Sequence, residues 1–457
     1  MNATSLRQIA SWAQGTILAG DASAMVTDVC TDSRAIKAGD LFVAIRGEKF
    51  DGHNFLAEAA RIGAVGAIVE KSTAHLPSNF TVIQVTDTVR GLQSLASEYR
   101  ATLSLKAVCI TGSNGKTSSK DLTASILAQR FSVTKTAGNL NNHLGVPITL
   151  LRANSAHQAG VFEIGMNHVG EIEPLARMVR PDVAIITNVG IAHIEFMGSR
   201  EAIAMEKGML AEVVAENGTV ILNADDDFTP SIAQRTRGRV VTAGIASGDV
   251  RATDLQQLSN GIKFRLHATG QCMEAELPVP GEHMVRNALL ACAAGIVLGL
   301  TLEECARGMR DLQLTAGRLT QKTVAGIHLI DDTYNANPDS MSAALATLAR
   351  MPVTGRRIAV LGRMGELGKE SERGHRSVGE VAGREKIPCV ITVGEEASWI
   401  ADAAEKSGVP TIVRTANAED ATRVLREMAK AGDAVLVKGS RSAKLERIIH
   451  AMEGGTC

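Results

Sequence analysis

The sequence has almost no excess of charge, because 48 Lys and Arg residues offset 49 Asp and Glu residues and leave a net charge of −1. Sequence-independent binding of nucleic acid needs a basic surface, so this balance argues against a nucleic-acid partner. Long hydrophobic runs are also missing. The longest, Ala288 to Leu300, is too short to span a bilayer and predicts a buried helix. The first residues lack the basic start and apolar stretch of a secretion signal, so we expect a cytoplasmic protein without membrane insertion.

Cysteine occurs seven times but never as a Cys-x-x-Cys pair. Such paired spacing is typical of zinc sites and redox motifs, so neither is predicted. An odd number of scattered thiols fits reduced side chains in a cytoplasmic protein. The positions are Cys30, Cys109, Cys272, Cys292, Cys305, Cys389 and Cys457.

The chain has 457 residues, of which 45% are hydrophobic, and this length suggests about three domains. The order of apolar segments predicts an α/β protein. Residues 1–85 predict a small mixed α/β module. Residues 86–315 predict a central parallel-sheet domain similar to P-loop ATPases, and residues 316–457 predict a Rossmann-like doubly wound domain.

Strand-like segments alternate with helical patterns in the second and third domains, which is typical of parallel sheets. The expected central strands are Ala107–Thr111, Gly160–Ile164, Val183–Thr187 and Thr219–Leu222. Residues 251–280 alternate around Asn260-Gly261 and predict a short antiparallel annex, after which Asn287 is expected to open a helix. The expected strands of the last domain are Ile327–Ile330, Arg357–Leu361, Cys389–Val393 and Ala434–Val437.

The most informative segment joins an apolar strand, a tight glycine loop and a helix. Glycines let backbone N–H groups approach phosphate oxygens, the helix N-terminus adds positive partial charge, a lysine neutralises phosphate and a hydroxyl can bind Mg²⁺. The loop is shorter than a standard P-loop, because only two residues separate its glycines. The segment predicts a nucleoside-triphosphate site formed by Thr111, Gly112, Ser113, Asn114, Gly115, Lys116, Thr117 and Ser118.

A series of motifs after this loop resembles the Mur ligases, ATP-dependent enzymes that build the peptide of bacterial cell-wall precursors. The resemblance covers essentially the whole chain. Its motifs are Gly138–Pro147, Glu163–His168, Asn188–His193, Lys207-Gly208, Asp331–Pro338 and Val437–Ser442.

The resemblance implies an ADP-forming ligase that activates a carboxylate as an acyl phosphate and joins it to an amine. The last two motifs are similar to the branch that adds D-alanyl-D-alanine to UDP-N-acetylmuramoyl-tripeptide, which yields the pentapeptide precursor of peptidoglycan. The Asp-Asn-Pro-Arg motif of the branch that adds the third residue does not occur here. Whether that third residue is meso-diaminopimelate or lysine stays open. We expect a monomer.

The same resemblance implies roles for the ATP-binding residues. Lys116 is expected at the β- and γ-phosphates, and Arg318 is expected to reach the γ-phosphate from the third domain. Asn287 is expected near the adenine, and the ribose is expected at Asp331 or Asp332, bordered by Tyr334 and Asn335.

Two magnesium ions are implied as well. Glu163 follows a predicted strand, and a carboxylate at the carboxyl end of a parallel strand suits a hard cation. Lys207 is implied to carry a carbamate, which turns its amine into an anionic oxygen ligand. The implied magnesium ligands are Thr117, Glu163, His193 and Lys207, and the implied catalytic residues are Lys116, Glu163, His193, Lys207 and Arg318.

The substrates are implied to bind on three further groups of residues. The uridine diphosphate is expected in the first domain, near Ser33, Arg34, Arg46, Gly47, Asp51 and His53. The loop beside the phosphates and the substrate carboxylate is expected to contain Asn139, Asn141 and Asn142. The carboxylate of the incoming dipeptide is expected at a strand-to-helix turn with Lys438, Ser440 and Arg441.

Other functions compete with this one. A Mur-type ligase that adds a single amino acid, or a folylpolyglutamate synthetase, would share the central architecture. The nucleotide-sugar module before the phosphate loop argues against the synthetase. A nucleotide-dependent regulatory switch is the alternative outside the enzymes, and such proteins rarely need a third α/β domain that supplies an arginine. Phosphate release with and without the two acceptor substrates separates these functions.

Overall fold

The three-dimensional structure is a computed structural model, and it describes residues 1–71 and 76–454. Cys457 lies outside the described residues, and the six other cysteines are free thiols. No helix in the described ranges is long and apolar enough to cross a membrane.

The amino-terminal part forms a small mixed α/β unit. Its elements are β1 (Thr4–Ser5), α1 (Leu6–Trp12), β2 (Thr16–Ala19), β3 (Met25–Val26), β4 (Val29–Cys30), β5 (Leu41–Val43), α2 (Leu56–Ile62), β6 (Gly66–Val69), β7 (Thr81–Gln84) and α3 (Thr88–Ala101). The main sheet has the order β2-β7-β6-β5-β4, in which only the β2–β7 pair is antiparallel. Strands β1 and β3 pair separately.

The central part contains one nine-stranded sheet with helices packed against it. Its first half comprises β8 (Lys106–Thr111), α4 (Lys116–Leu127), β9 (Val133–Lys135), α5 (Gly145–Arg152), β10 (Ala159–Glu163), α6 (Ile172–Val179), β11 (Val183–Ile186), α7 (Ile194–Met197) and α8 (Arg200–Val213). The second half comprises β12 (Thr219–Asn223), α9 (Thr229–Ala233), β13 (Arg239–Gly244), β14 (Val250–Gln257), β15 (Ile262–Ala268), β16 (Gln271–Leu277), α10 (Glu282–Val297) and α11 (Leu302–Arg310).

The strand order in this sheet is β16-β15-β14-β13-β12-β11-β8-β10-β9. Strands β8 to β13 are parallel, and β8 lies between β10 and β11, so it is buried on both faces, as its apolar run predicts. The predicted antiparallel annex is confirmed. It has three strands, and because β14 pairs in parallel with β13, it extends the main sheet.

The prediction that Asn287 opens a helix is wrong, because α10 already begins at Glu282. Gly281 precedes it with φ +105, a conformation that glycine adopts without strain, so the chain turns directly into the helix after the annex. Asn287 therefore lies inside α10, where it is buried.

The carboxyl-terminal part is a six-stranded doubly wound sheet of order β17-β18-β22-β19-β20-β21, antiparallel only between β17 and β18. Its elements are β17 (Thr320–Val324), β18 (Ile327–Asp332), α12 (Pro338–Arg350), β19 (Arg357–Gly362), α13 (Ser371–Arg384), β20 (Cys389–Val393), α14 (Ser398–Lys406), β21 (Thr411–Thr415), α15 (Ala418–Met428), β22 (Ala434–Lys438) and α16 (Glu446–Met452). The predicted α/β fold with three sheet-containing parts is confirmed.

Buried apolar clusters cross between these parts. One combines α1 and α3 with one face of the central sheet, and another combines the opposite face with α12, α13 and the third sheet. The domain limits 1–85, 86–315 and 316–457 stay a prediction. The continuous packing holds the third domain against the phosphate loop in this structure.

Asp121, a buried carboxylate on the phosphate-loop helix α4, binds the segment that connects the second and third domains. Asp121 accepts hydrogen bonds from the backbone N and the Oγ1 of Thr315, at 2.9 and 2.8 Å, and from Lys135 Nζ at 2.7 Å. Burial raises the pKa of Asp121, but Lys120, Lys135 and Thr315 together hold it below its ordinary value of 3.8. The stabilisation by ionised Asp121 is therefore present above pH 3.8, its ordinary pKa. It is lost as the pH falls through the lower pKa that Asp121 has in the folded protein.

We expect Asp121→Ala to lower the free energy of unfolding by about 3 kcal/mol at neutral pH, because it leaves buried positive charge without its partner. Chemical denaturation measures this, and the difference from the native protein should shrink in acid. Asp311→Ala, which removes an exposed carboxylate bonded to Gln129 nearby, should change the free energy by less than about 0.5 kcal/mol. Equal effects of both variants would contradict an anchoring role for Asp121.

Candidate functional site

The glycines of the phosphate loop are required by close packing and by backbone conformation. Gly112 has φ +150 and Gly115 has φ +79. A Cβ at Gly112 would lie 1.8 Å from Thr187 Oγ1, and a Cβ at Gly115 would lie 2.4 Å from Asn287 Oδ1. The shortened loop therefore fits tightly between the segment after β11 and the helix α10.

The segment after β11 also holds the loop by hydrogen bonds. Ser113 N donates to Asn188 O at 3.0 Å, and Asn114 N donates to Asn188 Oδ1 at 2.8 Å. Thr187 Oγ1 donates to Asn114 O at 2.5 Å. These contacts fix the loop geometry, as an anion site built from backbone groups requires.

Lys116 begins α4 and folds back over the loop. Its Nζ donates to Gly112 O at 2.7 Å and to Ser113 O at 3.3 Å. Burial lowers the pKa of Lys116, and Glu163 partly opposes that shift. The amine thus lies directly above the loop at the N-terminus of a helix, which is where phosphate oxygens bind in such loops.

Glu163 is buried at the end of β10. Its Oε1 accepts a hydrogen bond from Asn141 Nδ2 at 2.8 Å, whereas Oε2 is buried without a partner among the described residues. A buried carboxylate oxygen without a partner is costly, and a bound cation would satisfy it. The environment of Glu163 therefore fits a magnesium ion.

Lys207 is fully buried on α8, and its Nζ has no hydrogen-bond partner in the part of the chain that the structure describes. Burial lowers the pKa of this amine well below its ordinary value, and the positive charge of Lys116 lowers it further. Both effects favour the neutral form of this amine over the charged form. Within residues 1–71 and 76–454, no set of three His, Cys, Asp or Glu side chains gathers to hold a metal.

Two residues of the third domain reach the phosphate loop region. The Arg318 guanidinium lies 4.2 Å from the ring centre of Tyr334, a cation–π contact, and its Nε is buried without a partner among the described residues. Glu366 Oε2 lies 2.6 Å from Nδ1 of His193. Arg318 and Glu366 line the same small cavity as the phosphate loop in this structure.

Two cavities meet at these side chains. A small cavity of about 80 Å³ is enclosed by the phosphate loop and by residues 335–337 and 365–367 of the third domain. A larger one of about 790 Å³ is lined by Glu163 and by the predicted substrate residues Asn139, Asn141 and Asn142. Both cavities are lined by Lys116, His193, Arg318 and Asn335.

A third cavity, of about 230 Å³, continues from the phosphate loop toward Asn287 and Asp332. Lys438 Nζ lies in this cavity and donates to Asp332 Oδ2 at 2.6 Å and to Asn335 O at 3.0 Å. His283 also lines the cavity, and burial lowers the pKa of His283 to about 4, so it is neutral at physiological pH. Of the side chains predicted for adenine and ribose, Asn287 and Asp332 line this cavity, whereas Tyr334 and Asn335 line the large one.

Lys438, Ser440 and Arg441, which were predicted together for the dipeptide, each have different partners in this structure. The Lys438 amine is buried against Asp332 in the third cavity, while Ser440 Oγ contacts Ser442 Oγ at 3.0 Å. The Arg441 side chain is 71% exposed and lies 3.9 Å from Glu446. Successive residues after a strand point in different directions, so adjacency in sequence did not place these side chains together.

The predicted uridine-diphosphate residues lie on loops of the first domain, except His53, which lies in the short 3-10 helix Gly52–Phe55. His53 donates from Nδ1 to Asp51 Oδ1 at 2.6 Å and accepts from Glu70 N at Nε2, so both ring nitrogens are already used within the protein. Arg46 lies 3.3 Å from Asp51, and the Arg34 guanidinium is held by Asp32. Their role toward a ligand stays a prediction, as does that of Ser33 and Gly47.

Three residues of the third domain were missed by sequence reasoning. Asn337 Nδ2 donates to Asn114 Oδ1 at 2.8 Å, and Asp339 Oδ2 accepts from Ile191 N at 3.2 Å. The Asn337-Pro338 pair is a helix-start signal and could have located the N-terminus of α12. Asn337 contacts Asn114 on the phosphate loop, and the third residue, Glu366, contacts His193 on the loop after β11. Both partners are distant in sequence, so no local signal predicts either contact.

Comparison with known proteins agrees with this geometry. Three family profiles match: "Mur ligase family, catalytic domain" at residues 26–100, "Mur ligase middle domain" at residues 110–295, and "Mur ligase, glutamate ligase domain" at residues 317–441. The UDP-N-acetylmuramoyl-tripeptide–D-alanyl-D-alanine ligase of Escherichia coli is 38% identical over 442 residues, which cover 94% of each chain.

Solved structures are similar over the same length. A crystal structure of MurF from Acinetobacter baumannii superposes with a TM-score of 0.91, at 32% identity and 99% coverage of both chains. MurF ligase from Thermotoga maritima in complex with ADP gives a TM-score of 0.84 at 29% identity, with 94% of this chain and 97% of that chain covered. With the profiles spread over all three sheet-containing parts and the relatives matched over nearly their full length, the chain belongs to the Mur ligase family.

Proposed function

We propose that this protein is an ATP-dependent, ADP-forming ligase that joins D-alanyl-D-alanine to UDP-N-acetylmuramoyl-tripeptide and so makes a peptidoglycan precursor. The observation that carries the proposal is the junction of the two cavities at Lys116, His193 and Arg318. A terminal phosphate bound at this junction would lie beside a cavity large enough for a peptide carboxylate. The relatives at 34–38% identity with this printed name favour the dipeptide over a single amino acid or a folate substrate.

The chemistry needs two consecutive substitutions. The tripeptide carboxylate attacks the γ-phosphorus of ATP, ADP leaves, and an acyl phosphate forms. The amine of the dipeptide then attacks the acyl carbon, and inorganic phosphate leaves with formation of the amide. Lys116 and Arg318 would offset the charge on the transferred phosphoryl group. The N–H groups at the N-terminus of α4 would orient it, because those of Ser113 and Asn114 already donate to Asn188.

Exclusion of water protects the acyl phosphate from hydrolysis. The small cavity is closed on one side by the phosphate loop and on the other by Asn337 and Leu367 of the third domain. In the proposed cycle, the third domain opens to admit substrates and closes for the chemistry. Comparison of small-angle scattering profiles of the free and doubly liganded protein would detect this movement.

Magnesium would be held by Thr117, Glu163, His193 and Lys207, of which Lys207 would act as a carbamate. When bound, the metal supplies positive charge that screens the phosphates of ATP. The buried free oxygen of Glu163 and the buried free amine of Lys207 support this assignment. Without the carbamate, Glu163 would be the one anionic side chain among these four ligands, and a hard cation usually binds more anionic oxygens than that.

The nucleotide base and ribose would occupy the third cavity, near Asn287 and Asp332, with Tyr334 on the wall of the large cavity. The uridine diphosphate would bind to the first domain. Asn139, Asn141 and Asn142 line the large cavity, where the tripeptide carboxylate would lie. We infer a monomer that acts in the cytoplasm.

We assign the carboxylate of the dipeptide to Ser440 and Arg441. Their turn is fixed to the loop that contains Glu366, because Ser440 N donates to Arg363 O at 2.9 Å.

Arg441→Ala should weaken D-alanyl-D-alanine binding by about 10- to 100-fold, since a charge-assisted contact is lost. Binding of ATP should change little. Calorimetric titration of both ligands checks this, with the exposed Arg423→Ala as the matched control. Equal losses for both ligands would give Arg441 a structural role.

The test of the proposed function is ADP release by the purified protein with ATP and Mg²⁺. We expect release only when UDP-N-acetylmuramoyl-tripeptide and D-alanyl-D-alanine are both present. The tripeptide with meso-diaminopimelate and that with lysine, assayed in parallel, identify the third residue. Turnover with D-alanine alone, or with a folate and glutamate, would support the other ligases, and ATP binding without any turnover would support a switch.

A further inference from the structure

We propose that Glu366 is a positioning residue that orients the ring of His193, so that the third domain completes the metal-binding side of the site when it docks. The proposal rests on the metal-binding role assigned to His193 under the proposed function. Glu366 lies on the loop between β19 and α13, and its Oε2 lies 2.6 Å from His193 Nδ1. Both residues line the small cavity together with Lys116 and Thr117.

The backbone supports a specific contact at this point. His193 has φ +64 and Glu366 has φ +60, a left-handed conformation that few residues other than glycine adopt. Such conformations persist where the surrounding structure requires them, often at functional sites. Glu195 N donates to Glu366 O at 3.4 Å, so the two loops also contact each other through their backbones.

The chemistry of imidazole explains why this contact would affect metal binding by His193. A histidine that binds a metal usually donates its other ring N–H to a carboxylate, a backbone carbonyl or a water, which fixes the ring and its tautomer. Glu366 occupies the Nδ1 side and leaves Nε2 as the nitrogen available to a metal. The present contact has the distance of an ion pair, but its N–H direction does not form a hydrogen bond. Catalytic hydrogen bonds often align only when ligands bind.

Because Glu366 belongs to the third domain, it can orient the His193 ring only when that domain is packed against the central domain. The same interface contains the Asn337–Asn114 hydrogen bond and the packing of Glu195 against Gly368, where an added Cβ would lie 2.9 Å from Glu195 Cγ. If the third domain moves away, His193 loses its orienting carboxylate. A loosely held ring then binds a metal more weakly, even though the ring itself stays on the central domain.

The experiment is titration of the full-length protein with Mn²⁺ in the presence of ADP and bicarbonate, followed by electron paramagnetic resonance. Glu366→Leu should weaken Mn²⁺ binding by about 10- to 100-fold. Glu366→Gln should retain most of the affinity, because its amide oxygen still accepts from Nδ1–H. Glu195→Gln removes an exposed carboxylate from the same interface and should bind Mn²⁺ as the native protein does.

A double variant separates orientation from direct binding. If Glu366 acts through His193, Glu366→Leu should cause no further loss in a His193→Ala background. An undiminished further loss would overturn the inference, because Glu366 would then act on the metal itself. Weak binding by His193→Ala with native binding by Glu366→Leu would also overturn it, while leaving the proposed metal site intact. Native binding by His193→Ala would instead refute that metal site.

Discussion

Replacement of Lys116 by alanine should reduce ligation by at least about 10²- to 10³-fold, because the charge that offsets the transferred phosphoryl group is lost. The Lys116 amine contacts only the carbonyls of its own loop among the described residues, at 2.7 and 3.3 Å, so the fold does not depend on it. Thermal unfolding should therefore stay close to that of the native protein. ADP release with both acceptor substrates is the activity measurement.

The matched control for this variant is Lys106→Ala at the opposite end of the same strand, β8. Lys106 is exposed, and its Nζ lies 5.0 Å from the ring centre of Phe131. This control should keep native turnover. Retention of turnover within tenfold in Lys116→Ala would show that the loop does not bind the phosphates as proposed.

Lys207→Ala should be nearly inactive for a different reason. The native side chain is proposed to supply an anionic oxygen, and the variant leaves an empty space at that position. Acetate or another short carboxylate can fill the space, so we expect partial recovery of activity with added carboxylate. The required neutral amine is consistent with the lowered pKa of Lys207, which burial causes first and Lys116 increases.

Two controls make the rescue specific. Lys207→Met has a side chain of similar length that fills the space, so it should be inactive and insensitive to carboxylates. Lys116→Ala lacks a cation, and carboxylates should not restore it. Mass spectrometry of the native protein under bicarbonate should show the added mass of a carbamate. An unmodified lysine in fully active protein would refute this role.

The sequence determined the order of elements and the location of the nucleotide loop, because both depend on local signals. A run such as Val108 to Ile110, buried on both faces, is uniformly apolar, and the glycines around Ser113 and Asn114 have a local conformational cause. The same local signals placed Glu163 at the end of a strand. They failed for Asn287, since the last strand of the annex ends at Leu277 and α10 already starts at Glu282.

Only the tertiary structure decided which side chains meet. Lys438 was grouped with Arg441 by adjacency, yet its buried amine pairs with Asp332. Glu366 and His193 lie on different domains, and the sequence holds no local trace of their 2.6 Å contact. The physical reason is that strand and helix signals act over a few residues, whereas the site is formed by the packing of two sheets through one continuous core. The sequence therefore determines which chemical groups are present, and the packing determines which of them meet.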